Sequence, residues 1–94
     1  MLKPSELVAK GWCQHKSATN KAGELCWSRD EKATNWCILG AIWAVYGLSS
    51  DQRNIITYLK NKLNVKTRPD LSAWNDAPER TQAEVVALLQ SVGE

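Results

Sequence analysis

Cys13, Cys26, Cys37 and His15 are the residues best able to do chemistry in this 94-residue chain. Together they have the donor types of a Cys₃His zinc site. Their spacing offers no support for one. No C-x-x-C pair exists to clamp a metal, and Cys37 lies inside an apolar run. A cysteine nucleophile is the second possibility. Cys37 or Cys13 would pair with His15 and be oriented by Asn75 or Asp76. A reactive thiol wants a helix N-terminus to lower its pKa. A helix beginning near Ser28 puts Cys37 too deep to benefit, whereas one beginning at Thr34 or Asn35 would put it in the first turn. The capping signals favour Ser28, so the thiols are read as free, mostly buried and unreactive.

A third set of residues mixes flat apolar surface with amides and a carboxylate: Trp12, Gln14, Trp74, Asn75 and Asp76. Those are the ingredients of a small polar-ligand pocket or a protein-binding spot. The competing reading has both tryptophans plugging the core while Asn75 and Asp76 cap a turn. A fourth set is basic. From Arg53 to Arg68 there are five basic residues and no acid, whereas Asp70 onward carries five acids and one base, Arg80. Arg53, Lys60 and Lys62 then supply a basic patch for an anionic or acidic partner. Nucleic acid fits poorly, because no reader motif is present and the net charge is only +2.

The element that must position these groups is the stretch Asn35–Leu48, NWCILGAIWAVYGL, which carries no charge. Its apolar residues point all round a helix, so the helix should be buried on every side. It is too short to cross a bilayer, which takes about 20 apolar residues. Ser28–Glu31 reads as an S-x-x-E capping box, and Gly47 as a positive-φ stop. The spacing therefore predicts a central helix over about 29–46. Ala33, Cys37, Gly40, Ala41 and Ala44 form a small-residue stripe along it. Gly40 costs about 1 kcal/mol against alanine there, so a backbone should pack closely at that point.

Around it, Pro4 and Ser5 open a short helix to about Lys10, stopped by Gly11. Residues 11–27 read as irregular, with a possible small hairpin between Trp12–His15 and Glu24–Trp27. Ser49…Gln52 and Thr81…Glu84 are further capping boxes. They introduce amphipathic helices over about 50–63 and 82–91. Residues 64–80 lack a helical period, contain Pro69 and Pro78, and read as a long ordered loop. The expected fold is mainly α: one domain over 1–94, with a buried central helix, two amphipathic helices packed on it, a short N-terminal helix and two long loops.

One domain of this length has room for a modest core. Five tryptophans and no phenylalanine let a few large rings hold it. The N-terminus MLKPSELVAK is too polar for an export signal. With an odd cysteine count, that predicts reduced thiols in a cytoplasm.

GWCQ at 11–14, a glycine at 23, A-x-x-W-C-x-L-G-A at 33–41 and W-N-D-x-P-x-R-T-x-x-E-V at 74–85 run in order along the chain. In these motifs the sequence resembles a family of small bacterial proteins, notably of actinobacteria and their phages, with no assigned activity. The resemblance implies a helical domain in a bacterial cytoplasm, often phage-encoded. It also implies glycine as the commoner residue where His15 stands.

The expected function is a small non-catalytic binding protein with no cofactor and no membrane, acting by binding and blocking a host bacterial protein. Its surface would combine Trp12, Gln14 and Trp74–Asp76 with Arg53, Lys60 and Lys62. The alternative is a small pocket-bearing enzyme or nucleotide-binding domain using a cysteine, Gln14, Asn75 and Asp76.

Overall fold

The computed structural model describes residues 2–94. The chain runs α1 (Pro4–Lys10), β1 (Ala18–Asn20), β2 (Ala33–Trp36), α2 (Ile38–Tyr46), α3 (Ser50–Leu63), α4 (Arg68–Asp76) and α5 (Gln82–Ser91). It is a mainly α domain, and α2 is its centre, packed against α1, α3, α4 and β2. Ile38, Ala41 and Ile42 of α2 are fully buried, with Ile55, Ile56 and Leu59 of α3, Leu71 of α4, Val85 and Leu89 of α5, and Val8 of α1 in the same core.

The predicted α1 and α3 match the structure residue for residue, and α5 differs by no residue from the expected span. Their caps explain why. Ser49 Oγ accepts from Gln52 N and Thr81 Oγ1 accepts from Glu84 N, each satisfying an otherwise orphaned helical N–H.

The central helix is shorter than expected and begins at Ile38, not Arg29. Ser28–Glu31 is no capping box. Asp30 instead organises a turn, in which Lys32 N donates to Asp30 Oδ1 and Ala33 N to Asp30 O. Asx turns of this kind compete with helix for the same N–H groups. The chain then enters β2, which pairs antiparallel with β1: Ala18 faces Trp36, Thr19 faces Asn35 and Asn20 faces Ala33. The slip between Thr19 and Asn20 leaves Thr34 unpaired, a local bulge. Gly11–Cys13 lies along the other edge of β2, with Trp36 N donating to Gly11 O and Cys13 N to Trp36 O. The small hairpin thus exists, but its strands are not Trp12–His15 and Glu24–Trp27. Those segments contribute only isolated bridges, Trp12 to Trp36 and Leu25 to Thr19.

Two further expectations change. Residues 64–80 are not one loop, because α4 occupies their middle. Thr67 Oγ1 accepts from Asp70 N while Asp70 accepts from Thr67 N, and Pro69 sits in the first turn. Proline is tolerated there because that N–H has no helical partner. Hydrogen bonding to its carboxylate, from the Thr67 side chain first and then from the Lys66 and Thr67 backbone N–H groups, holds Asp70 below its ordinary range. Nor is α2 dry throughout: Trp43–Tyr46 are half-buried, and Leu48 beyond it is exposed. Gly47 does end the helix at φ 60°, and its ψ of −150° belongs to a region essentially open to glycine alone.

The close approach expected at Gly40 is made by a loop. A Cβ at Gly40 would stand 1.9 Å from the carbonyl oxygen of Ser17. That same oxygen accepts from Cys37 N at 3.0 Å, so the loop cannot retreat without losing a hydrogen bond. Gly40→Ala should therefore lower unfolding free energy by about 2–3 kcal/mol in urea titration, although alanine is worth about 1 kcal/mol more than glycine in a free helix.

Candidate functional site

Trp12, Gln14, Asn75 and Asp76 do come together, joined by hydrogen bonds to one another. The Asn75 carboxamide is fully buried. Its Oδ1 accepts from Trp12 Nε1 at 2.9 Å and from Ile38 N, the first N–H of α2, at 3.0 Å. Its Nδ2 donates to Cys13 O at 3.2 Å and Asp76 Oδ1 at 3.0 Å. Gln14 Nε2 donates to the carbonyls of Asn75 and Ala77 at 3.0 and 2.9 Å. Asp76 Oδ1 also accepts from His15 N. Trp74 lies beneath the Arg80 guanidinium, 4.0 Å from its ring centroid, a cation–π contact. Arg80 Nε in turn donates to Trp74 O.

These residues form a clasp between the segment after α1 and the end of α4. Helix ends leave several backbone groups without partners. Here Asn75 serves the start of α2, while Gln14 and Arg80 serve carbonyls at the end of α4. Asn75 has no surface left for a ligand, and Gln14 spends its donors inside the fold. His15 adopts φ 68°, a region that glycine enters at no steric cost.

Cys37 lies beside a space of about 300 Å³ that His15, Asp76 and Ser72 also line. It is the N-cap of α2, with Sγ accepting from Gly40 N at 3.3 Å. The short helix thus puts this thiol where a nucleophile gains most. Burial nevertheless dominates and pushes the Cys37 thiol up, against the lowering effect of the Gly40 and Leu39 N–H groups. Burial likewise raises Cys13, to about 11, with Cys37 and Asp76 adding to the effect. His15 Nδ1 is 3.8 Å from Asp76 Oδ2 on an exposed side chain. Cys13, Cys26 and Cys37 are free. Among the described residues no group of three or more His, Cys, Asp or Glu is placed to hold a metal ion.

The basic residues of α3 do not share a face. At about 100° per residue, Arg53 and Lys60 project together, whereas Lys62 points away from Arg53. Lys60 and Lys62 flank opposite sides of the stripe formed by Gln52, Ile55, Ile56 and Leu59.

A second cleft, of about 250 Å³, was not anticipated from the sequence. It opens where α2, α3 and the start of α4 meet the two loops before β2. Trp27, Trp43, Leu39 and Ile56 give it apolar walls, and Gln52 and Arg68 line it with polar groups. Trp27 is 69% exposed. Its neighbour Ser28 is fixed, because Ser28 O accepts from the buried Trp36 indole at 2.9 Å. Gln52 is only 2% exposed, and its Oε1 accepts from Arg68 Nη2 at 3.1 Å. The sequence hid this site. Gln52 read as a cap and Arg68 as one charge in a basic run.

Fold and sites together define a small α-rich domain clasped by its own polar residues, with an open cleft walled by Trp27 and Trp43. The chain belongs to DUF6197, a family of unknown function, whose model matches residues 5–94. No curated protein and no solved structure matches it. Among the described residues no helix is long and apolar enough to cross a membrane.

Asn75→Ala would leave Trp12 Nε1, Ile38 N and Cys13 O unpartnered. Each such buried group costs about 1–3 kcal/mol, so the variant should lose about 3 kcal/mol or more in chemical denaturation. Asn75→Asp keeps the acceptor but sets a carboxylate against Cys13 O and Asp76, and should be destabilised at pH 7 as well. In the folded protein at pH 7.5, Cys37 should react with iodoacetamide at least 100-fold more slowly than free cysteine, and in denaturant at the free rate. Rapid labelling of the native thiol would revive the nucleophile.

Proposed function

We propose that this chain is a non-catalytic binding domain that docks on a protein of the bacterial cell in which it is made, and blocks it. The phage or mobile-element setting follows from the family resemblance. The observation that carries the binding role is Trp27: a large ring 69% exposed, held by a fixed backbone over a cleft. Tryptophan is enriched among binding hot spots, and prior ordering lowers the entropy lost on association. Leu25, two residues earlier in the same loop, is 66% exposed as well. The raised Cys13 and Cys37 thiols, and a clasp whose polar groups bond to one another, favour binding over catalysis.

The binding surface is accordingly assigned to Trp27, Leu25, Trp43 and Arg68. Trp12, Gln14, Asn75 and Asp76 shape the scaffold behind it, and Arg53 and Lys60 lie on the flank of α3. Immobilised protein should capture one stoichiometric partner from a bacterial host lysate, with the partner quantified by mass spectrometry. Trp27→Ala should weaken that complex by about 30-fold, the effect of a 2 kcal/mol hot spot, while Leu48→Ala, at another exposed apolar site, should not. Equal capture by the Trp27 variant would overturn the assignment.

A further inference from the structure

The cleft beneath Trp27 contains a donor set that the protein's own acceptors do not fill. Gln52 is 2% exposed, and among the described residues none of its side-chain polar atoms is both buried and unpartnered. Its Oε1 is occupied by Arg68 Nη2, yet its Nε2 finds no acceptor among the described residues, and the residue lines the cleft. Arg68 has no carboxylate within ion-pairing distance among those residues. A guanidinium carries five N–H donors and no acceptor, and only one hydrogen bond, to Gln52, is used. The Arg68–Gln52 pair therefore presents several donors side by side, with net positive charge, and no acidic side chain lines the cleft. Such a fork matches the two oxygens of a carboxylate. Around it stand Trp27, Trp43, Leu39 and Ile56, surfaces that suit a flat or bulky apolar group.

The size narrows the occupant. At about 250 Å³ the space falls below the roughly 300–1,000 Å³ of ordinary small-molecule clefts, too little for a nucleotide. Donor fork and apolar walls share that one small volume. The ligand must then carry its carboxylate and its apolar body on nearly the same atom. A chain-terminal residue does this, because its α-carboxylate and side chain leave one Cα. An internal aspartate or glutamate carries no apolar group so close.

We propose that this cleft captures the C-terminal carboxylate of a partner chain whose last residue is aromatic or large and aliphatic. Gln52 and Arg68 would bind the carboxylate, and Trp27 and Trp43 would flank the side chain. This rests on the protein-binding reading above and specifies the chemistry recognised at the same surface.

The test uses the intact protein, isotopically labelled, and three peptides: acetyl-Gly-Ser-Gly-Phe as the free acid, the same peptide as its C-terminal amide, and acetyl-Gly-Glu-Gly-Phe-amide, whose only acid is internal. The free acid should shift the Gln52 side-chain amide and the Trp27 and Trp43 indole N–H resonances. Both amidated peptides should bind at least tenfold more weakly. Arg68→Gln should lose the preference for acid over amide; it also removes the partner of Gln52 Oε1, so its fold is checked by the dispersion of its own amide spectrum. Equal binding of acid and amide, shifts confined to other residues, or no binding of any peptide would overturn the proposal. Equally tight binding of the internal-acid peptide would overturn the terminal assignment. Each of those outcomes leaves the protein-binding reading standing if Trp27→Ala still loses the captured partner. That reading falls only if the Trp27 variant captures as well as wild type.

Discussion

One buried carboxamide, that of Asn75, decides how this domain is assembled. A helix N-terminus pointing into protein needs acceptors for its first N–H groups, and the sequence before α2 provides only the sulfur of Cys37. Sulfur is a weak acceptor. Asn75 Oδ1 takes the Ile38 N–H and, through the Trp12 indole, fixes the segment that lines β2. Asparagine suits the position because it accepts on one side and donates on the other. Leucine would bury as well and leave three polar groups without partners.

That clasp separates two kinds of polar residue that look alike in a sequence. Gln14 and Asn75 carry amides that hold helix ends, with their hydrogen bonds directed inward. Gln52 is nearly as buried as Asn75, yet half of its amide is left over beside a cleft. The tryptophans divide in the same way. Trp36 is a buried ring whose N–H pins Ser28, and Trp12 pins Asn75. Trp27 stands outside, on the strand entry that Trp36 holds still.

Capping chemistry and hydrophobic period made α1, α3 and α5 legible, because each helix's first turn satisfies itself locally. The start of α2 was not legible. A helix over Arg29–Trp36 is locally reasonable, but Asp30 forms its own turn and Ser17 and Thr19 compete for the backbone and side chains of Cys37, Thr34 and Asn35. Those partners lie 15 or more residues away in sequence, beyond any local pattern. Helix α4 was legible in principle: Thr67-Arg-Pro-Asp70 is a capping box with proline in its tolerated place. Pro69 and Pro78 read as marks of a loop, and Asn75-Asp76-Ala77-Pro78 as turn chemistry, whereas Asn75 sits fully buried in the last turn of α4. Likewise GWCQ at 11–14 and WND at 74–76 supply the clasp, so these runs describe what keeps the chain folded more than what it touches.

The span of the clasp also governs the order in which the chain can mature. Its bonds from the segment after α1 join residues 61–63 positions apart, and the one to the start of α2 spans 37. As the chain leaves the ribosome, α1, the hairpin and α2 emerge well before the residue that completes them. Until Asn75 arrives, the leading N–H of α2 lacks its acceptor and the Trp12 ring its tether. Closing so large a loop is slow relative to helix formation. The native core is therefore a late event of synthesis, and a nascent chain cut short before α4 has no means of locking its own centre.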